Sequence, residues 1–196
     1  MKIYLVRHGE TDWNQLQKWQ GHTDIDLNET GVNQAMQLSK NIGNYPNISI
    51  IYASPLLRAY RTAEILNQVL NIEIVPRDRL KEVSLGVWEG MKYDDISEHY
   101  PVDFKLWNSR TDGMDTSLKV ETLLELQNRA FSELEELRKQ TPNDFMIVGH
   151  GAWISTLLCK LLNTEKRDGL IHIENASLIE IEYNEESEQY IVITDF

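Results

Sequence analysis

Two short apolar runs in this sequence end in a histidine followed by glycine: Ile3-Tyr4-Leu5-Val6-Arg7-His8-Gly9 and Phe145-Met146-Ile147-Val148-Gly149-His150-Gly151. Apolar runs of this length read as buried strands, and glycine lets a chain leave a strand and turn without steric cost. A third run, Ile48 to Ala53, ends at Ser54-Pro55 and places Arg58 and Arg61 in the first turns of a helix. If the three strands share a sheet, His8, His150, Arg7 and Arg58 meet in the crevice above their C-terminal ends, where open α/β sheets bind ligands. Such a cluster repels itself unless an anion fills it. A phosphate dianion fits, because guanidinium groups bind its oxygens in bidentate fashion and a protonated histidine adds charge and a donor. Histidine is also a nucleophile near neutrality, its free pKa being about 6.5. A lone histidine after a strand is usually a packed or surface residue, and a lone arginine in a first helical turn is usually solvated. The joint pattern points to an anion site. Taken alone, it leaves open whether the site binds or catalyses.

The elements that must position these residues follow from pattern. Residues 9 to 30 are polar, without a sustained period, and read as a long loop. Thr30 is a candidate N-cap for a helix with Val32, Ala35, Met36 and Leu38 on one face, running through residue 42 and closed by Gly43-Asn44. A helix follows Ser54-Pro55, and Ile72 to Val75 is a further strand. Arg79 to Gly90 reads as loop, then short helices over Tyr93 to Tyr100 and Val102 to Trp107 flank Pro101. Thr122-Leu123-Leu124-Glu125 is a capping box that opens a long amphipathic helix to about Gln140. Ala152 to Leu162 is apolar nearly all round and predicts a buried helix; Ala176 to Tyr183 and Gln189 to Thr194 predict a closing hairpin. Early strand–helix alternation with a final hairpin predicts a three-layer α/β/α fold with a mostly parallel mixed sheet. One domain over residues 1–196 is the simplest organisation, with residues 83 to 119 as a helical insertion over the site.

Composition narrows the partners. A net charge of −12 argues against nonspecific binding to nucleic acid or an anionic membrane. A small phosphorylated ligand remains compatible, because a few arginines set the local potential within a Debye length of about 8 Å. No apolar run approaches a membrane span, and Met1-Lys2 leads directly into the first strand without a secretory pattern. One cysteine, Cys159, suits a reducing cytoplasm and reads as a small buried hydrophobe. His22, His99 and His172 form no ligand-spaced metal set. Nothing in the pattern specifies an oligomeric state.

Arg7-His8-Gly9-Glu10-Thr11 with Asn14 resembles the signature of the histidine phosphatase superfamily, which includes cofactor-dependent phosphoglycerate mutases. Gly21-His22-Thr23-Asp24 with Leu27 to Gly31, Ser54 to Ala63, Glu82 with Gly86 to Gly90, and Val148 to Gly151 resemble further elements of that family, in order. The resemblance implies that His8 attacks phosphorus and becomes phosphohistidine. It implies that Arg7, Arg58 and His150 hold the phosphoryl group, with Asn14 an added donor and Gln20 and Gly21 bordering the site. Glu82 is then the general acid and base, which calls for a partly desolvated carboxyl. The cationic groups supply the charge, so no metal or other cofactor is called for. Of the two activities in the family, phosphomonoester hydrolysis fits better than mutase chemistry: few basic residues lie over 90 to 120 to hold a bisphosphorylated intermediate. A regulatory phosphate-binding protein is the remaining reading. The sequence departs from the family pattern at Val120-Glu121-Thr122, where Gly-Glu-Ser is common, and at Ser155, near where an arginine often follows the second histidine.

Overall fold

A computed structural model of the chain describes residues 1–43, 45, 47–164 and 170–194. Its sheet contains β1 (Lys2–Arg7), β2 (Ile50–Ala53), β3 (Glu73–Pro76), β4 (Phe145–Gly149), β5 (Leu178–Asn184) and β6 (Gln189–Val192), in the order β3-β2-β4-β1-β5-β6. β1, β4, β2 and β3 pair in parallel, whereas β5 and β6 add as antiparallel strands beyond β1. The sheet is mixed and mostly parallel, as the alternation predicts.

Strand alternation builds two cores. Ile3, Leu5, Phe145 and Ile147 face one side of the sheet, where they meet α6 (Leu123–Gln140) and α7 (Gly151–Leu161). Tyr4, Val6, Met146 and Val148 face the other, against α2 (Glu29–Ile42) and α3 (Leu57–Leu70). These two apolar faces make the three layers. The capping box forms as expected: Glu125 N–H donates to Thr122 Oγ1 at 3.2 Å and Thr122 N–H to Glu125 Oε2 at 2.8 Å.

Two local readings change. The cap of α2 is Asn28 rather than Thr30, its Oδ1 accepting Gly31 N–H at 2.8 Å. The polar loop after β1 contains a one-turn helix, α1 (Asp12–Gln15), capped by Thr11 and Asn14. At the end of α2, Gly43 is the C-cap and Asn44 lies outside the described residues. Within 83 to 119, α4 (Tyr93–His99) and α5 (Pro101–Asn108) are pinned by aromatic packing. Trp19 lies 5.1 Å from Trp107 between ring centroids, and the fully buried Trp88 meets Phe104 at 5.9 Å. These aromatics are continuous with the core on the α6 and α7 side of the sheet.

Candidate active site

The parallel register of β1 and β4 pairs Arg7 with Gly149, so the next residue of each strand comes out abreast. His8 N–H donates to Gly149 O at 3.0 Å. The His8 and His150 rings then meet edge to face, with centroids 5.2 Å apart. His8 is 3% exposed, and its Nδ1–H donates to Gly9 O at 2.6 Å. That bond places the ring proton on Nδ1 and leaves the Nε2 lone pair available. The turn after His8 is fixed from two sides. Gly9 N–H donates to Thr62 Oγ1 on α3 at 3.1 Å. A Cβ on Gly9 would lie 2.4 Å from Gly31 O, so only glycine allows α2 to cross this close.

Arg58, in the first turn of α3, is 0% exposed. It donates to Thr23 O at 3.0 Å and Gly21 O at 2.8 Å, which ties it to the loop before α2. Gly21 takes φ +53°, and a Cβ there would meet Glu89 Oε1 at 2.3 Å. Arg7 donates Nη1–H to Ile173 O and lies against Gly151, where a Cβ would approach its Nε to 3.2 Å. His150 is 0% exposed; its Nε2 is 2.7 Å from Ser54 Oγ. Ser54 Oγ also accepts Leu56 N–H at 3.4 Å, and with one O–H and two lone pairs it can serve either tautomer of His150. His150 Nδ1, Arg7 Nε and Arg58 Nε are all buried without a partner. Among the described residues no carboxylate pairs with either arginine.

Glu82 is half-buried, and its carboxylate sits at the start of α7. Oε2 accepts Ala152 N–H at 3.1 Å, and Oε1 accepts the N–H groups of Trp153 and Val83 at 3.0 Å each. The free N–H groups and positive dipole of a helix start are a natural seat for a carboxylate. Asn14 Oδ1 accepts Thr11 N–H at 3.1 Å, which leaves the amide –NH2 as the group it offers the cavity. Asn14, Gln20, Gly21, Arg7, His8, Arg58 and Glu82 all line one cavity of about 580 Å³. Its outer wall includes Lys18, Trp19, Lys92, Tyr93 and Trp107 from the loop and the insertion. His150 is fully buried, its ring against that of His8, and is not among the lining residues. Arg61 is exposed, and Cys159 is buried. No group of three or more His, Cys, Asp or Glu among the described residues could hold a metal ion.

Burial, then Arg58 and Arg7, push the His8 pKa well below 6.5. Burial, then Arg58, His8 and Arg7, do the same to His150. The positive charge expected at His150 therefore falls to the arginines, of which Arg58 is lowered to about 10, mainly by burial, and stays charged at neutrality. A consequence for stability follows. The unfolded chain protonates both imidazoles below about pH 6.5, whereas the folded chain holds them neutral. Unfolding then binds up to two protons, so stability falls as pH drops through ~6.5 toward the depressed folded values, by up to ~2.7 kcal/mol per unit. Urea denaturation on either side of about pH 6.5 measures this slope, and His150→Gln should halve it. A flat profile would mean that the imidazoles are not kept neutral.

Some contributors carry no legible signal. Leu170, Ile171, His172 and Ile173 line the cavity although the C-terminal stretch has no motif. Asn175 Nδ2–H donates to His8 O at 3.0 Å. Ser155 is a positional residue in α7: its Oγ accepts Ile171 N–H at 2.6 Å and so holds the segment that binds Arg7. Glu121 turns away from the cavity and pairs with Arg129. Thr62 and Ser54 lie inside the stretch Ser54 to Ala63 that resembles the family, and their side-chain oxygens are the legible signal.

Comparison with known proteins agrees with this geometry. The Bacillus subtilis protein named uncharacterized phosphatase PhoE is 40% identical over 185 residues, 94% of this chain and 89% of that protein. Phosphoserine phosphatase 1 of Hydrogenobacter thermophilus is 34% identical over 166 residues, 84% of this chain and 78% of that one. Among solved structures, phosphoserine phosphatase of Entamoeba histolytica, in complex with 3-phosphoglyceric acid, superposes with a TM-score of 0.84 at 30% identity, covering 98% of this chain and 95% of that one. The family pattern itself matches from residue 3 to residue 195. The chain belongs to branch 1 of the histidine phosphatase superfamily.

Proposed function

We propose that this protein hydrolyses phosphomonoesters of small metabolites through a phosphohistidine on His8. One observation carries the reading: two buried N–H donors, Nε of Arg7 and Nε of Arg58, have no partner, and both arginines line the cavity with His8. Buried donors are ordinarily satisfied, and the oxygens of a phosphoryl group supply what is missing. The relatives' names add support, since phosphoserine and 3-phosphoglyceric acid are small phosphorylated acids. The elements of the site surround one sheet, which favours a single domain. The lone buried Cys159 favours the cytoplasm, and no helix among the described residues is long and apolar enough to cross a membrane.

The chemistry uses neutral His8. Its Nε2 lone pair attacks phosphorus as the P–O ester bond breaks, while the Nδ1–H to Gly9 O bond holds the tautomer. Arg7, Arg58, His150 and Asn14 bind the oxygens on which charge is spread, which is the main requirement of phosphoryl transfer. The leaving alkoxide takes a proton from Glu82. Water then attacks the phosphohistidine and gives its proton to the Glu82 carboxylate, releasing phosphate and restoring His8. The large cavity leaves room for the alcohol portion against Trp19, Tyr93 and Trp107.

A panel of phosphomonoesters incubated with a chelator tests this. Inorganic phosphate should be released from several of them. Interconversion of phosphoglycerates after priming with a bisphosphoglycerate, without phosphate release, would make the protein a mutase. No turnover with tight phosphate binding would make it a binding protein.

A further inference from the structure

Glu82 lies on a segment, 79 to 84, with no sheet pairing. Its position is set instead by one side chain from α6. Arg129 has all five of its N–H donors engaged, three of them on this segment. Nη1 donates to Arg79 O and Lys81 O, each at 2.8 Å, and Nη2 donates to Glu82 O at 3.1 Å. The remaining two donors, on Nε and Nη2, engage the Oε1 and Oε2 oxygens of Glu121, each at 2.8 Å. Glu121 closes the frame on the same segment. Its Oε2 accepts Ser84 N–H at 3.1 Å, and its backbone N–H donates to Ser84 O at 2.7 Å. His22 Nε2 adds a second contact to Glu82 O at 2.8 Å. The backbone of Glu82 is thus fixed from α6, and its carboxylate from the first turn of α7. A guanidinium can do this because its five donors point in fixed directions; an ammonium, with three donors on a flexible stem, cannot reach the same five acceptors.

We infer that Arg129, locked by Glu121, is a positioning residue for proton transfer by Glu82. The inference rests on the reading of Glu82 as the acid that protonates the leaving oxygen. Releasing the segment moves that carboxyl relative to the P–O bond without touching His8 or the arginines on the phosphoryl group. The loss should therefore depend on whether the leaving group needs a proton.

The test compares kcat/KM for an alkyl phosphate with that for 2,4-dinitrophenyl phosphate, whose phenolate leaves unaided. Both values report the steps through phosphorylation of His8, and their ratio within one preparation does not depend on the folded fraction. Arg129→Lys and Arg129→Met should lower the alkyl value by ~10²-fold and the aryl value by less than about threefold. Glu121→Gln keeps the shape of the pair, loosens it, and should shift the ratio in the same direction by a smaller factor. An equal fall for both substrates, or an unchanged ratio in all three variants, overturns the inference. Glu82→Gln separates the two claims. If it leaves the ratio unchanged, the role of Glu82 falls and the inference with it. If it shifts the ratio while the Arg129 and Glu121 variants do not, only the positioning role falls.

Discussion

His8→Ala is expected to abolish phosphate release from every phosphomonoester the wild type accepts. The loss should be on the order of 10⁵-fold or more, the scale found when a nucleophile is removed from a site that keeps its other groups. Nothing else in the cavity can replace it. His150 is fully buried and does not line the cavity, with Nε2 engaged by Ser54 and Nδ1 buried. Glu82 has both oxygens on backbone N–H groups. The variant should still bind phosphate, because both arginines remain. Brief mixing of wild type with a labelled substrate and acid-free denaturing separation should show phosphate on the chain, and His8→Ala should show none. A variant that keeps more than a trace of activity would remove His8 from the nucleophile role.

Arg58→Met should lower kcat/KM by roughly 10³-fold, at the upper end of what a single preorganised donor contributes. The reason lies in where the charge is held. Arg58 is fully buried, two of its nitrogens are spent on Gly21 O and Thr23 O, and its Nε has no partner. Burial already weakens its hold on its proton, so the folded chain bears the cost of this cation before any ligand arrives. An anion relieves that cost. Inorganic phosphate at about 100 times its Kd should stabilise the wild type by ~2.7 kcal/mol. Thermal denaturation with and without phosphate reads this directly, and Arg58→Met should lose most of the shift. If phosphate stabilises the variant as well as the wild type, Arg58 does not hold the phosphoryl group.

The parts of this architecture that were legible in sequence are those governed by short-range pattern. Ile3 to Val6 alternate between two cores, and the stretch reads as a strand because both faces are apolar. Thr122 to Glu125 announces a helix start because the reciprocal cap needs only residues three apart. The cap of α2 was harder, since Asn28 and Thr30 are both good capping types. The choice is made by Glu10, whose Oε1 accepts Asn28 Nδ2–H at 2.9 Å from across the loop. α1 is one turn long, too short to show a period. The cavity wall at Leu170 to Ile173 exists because Ser155 and Arg7 hold its backbone, and backbone acceptors leave no mark in a sequence. Arg129 was silent for the same reason: three of its five partners are carbonyls about fifty residues upstream. Glu121 lies where the sequence departs from the family pattern, and its carboxylate serves Arg129.

β1 is made well before its neighbours: it lies between β4 and β5, whose paired residues come more than 140 positions later. At ribosomal speeds that interval lasts roughly 7–30 s. Throughout it, the strand that carries the nucleophile has neither neighbour, and His8 lacks the Gly149 carbonyl, Asn175 and the His150 ring that define its surroundings. The nascent chain is therefore expected to be catalytically silent until β4 and β5 have emerged. During the wait Ile3-Tyr4-Leu5-Val6 is an unpaired apolar strand, the kind of segment that aggregates or recruits a chaperone.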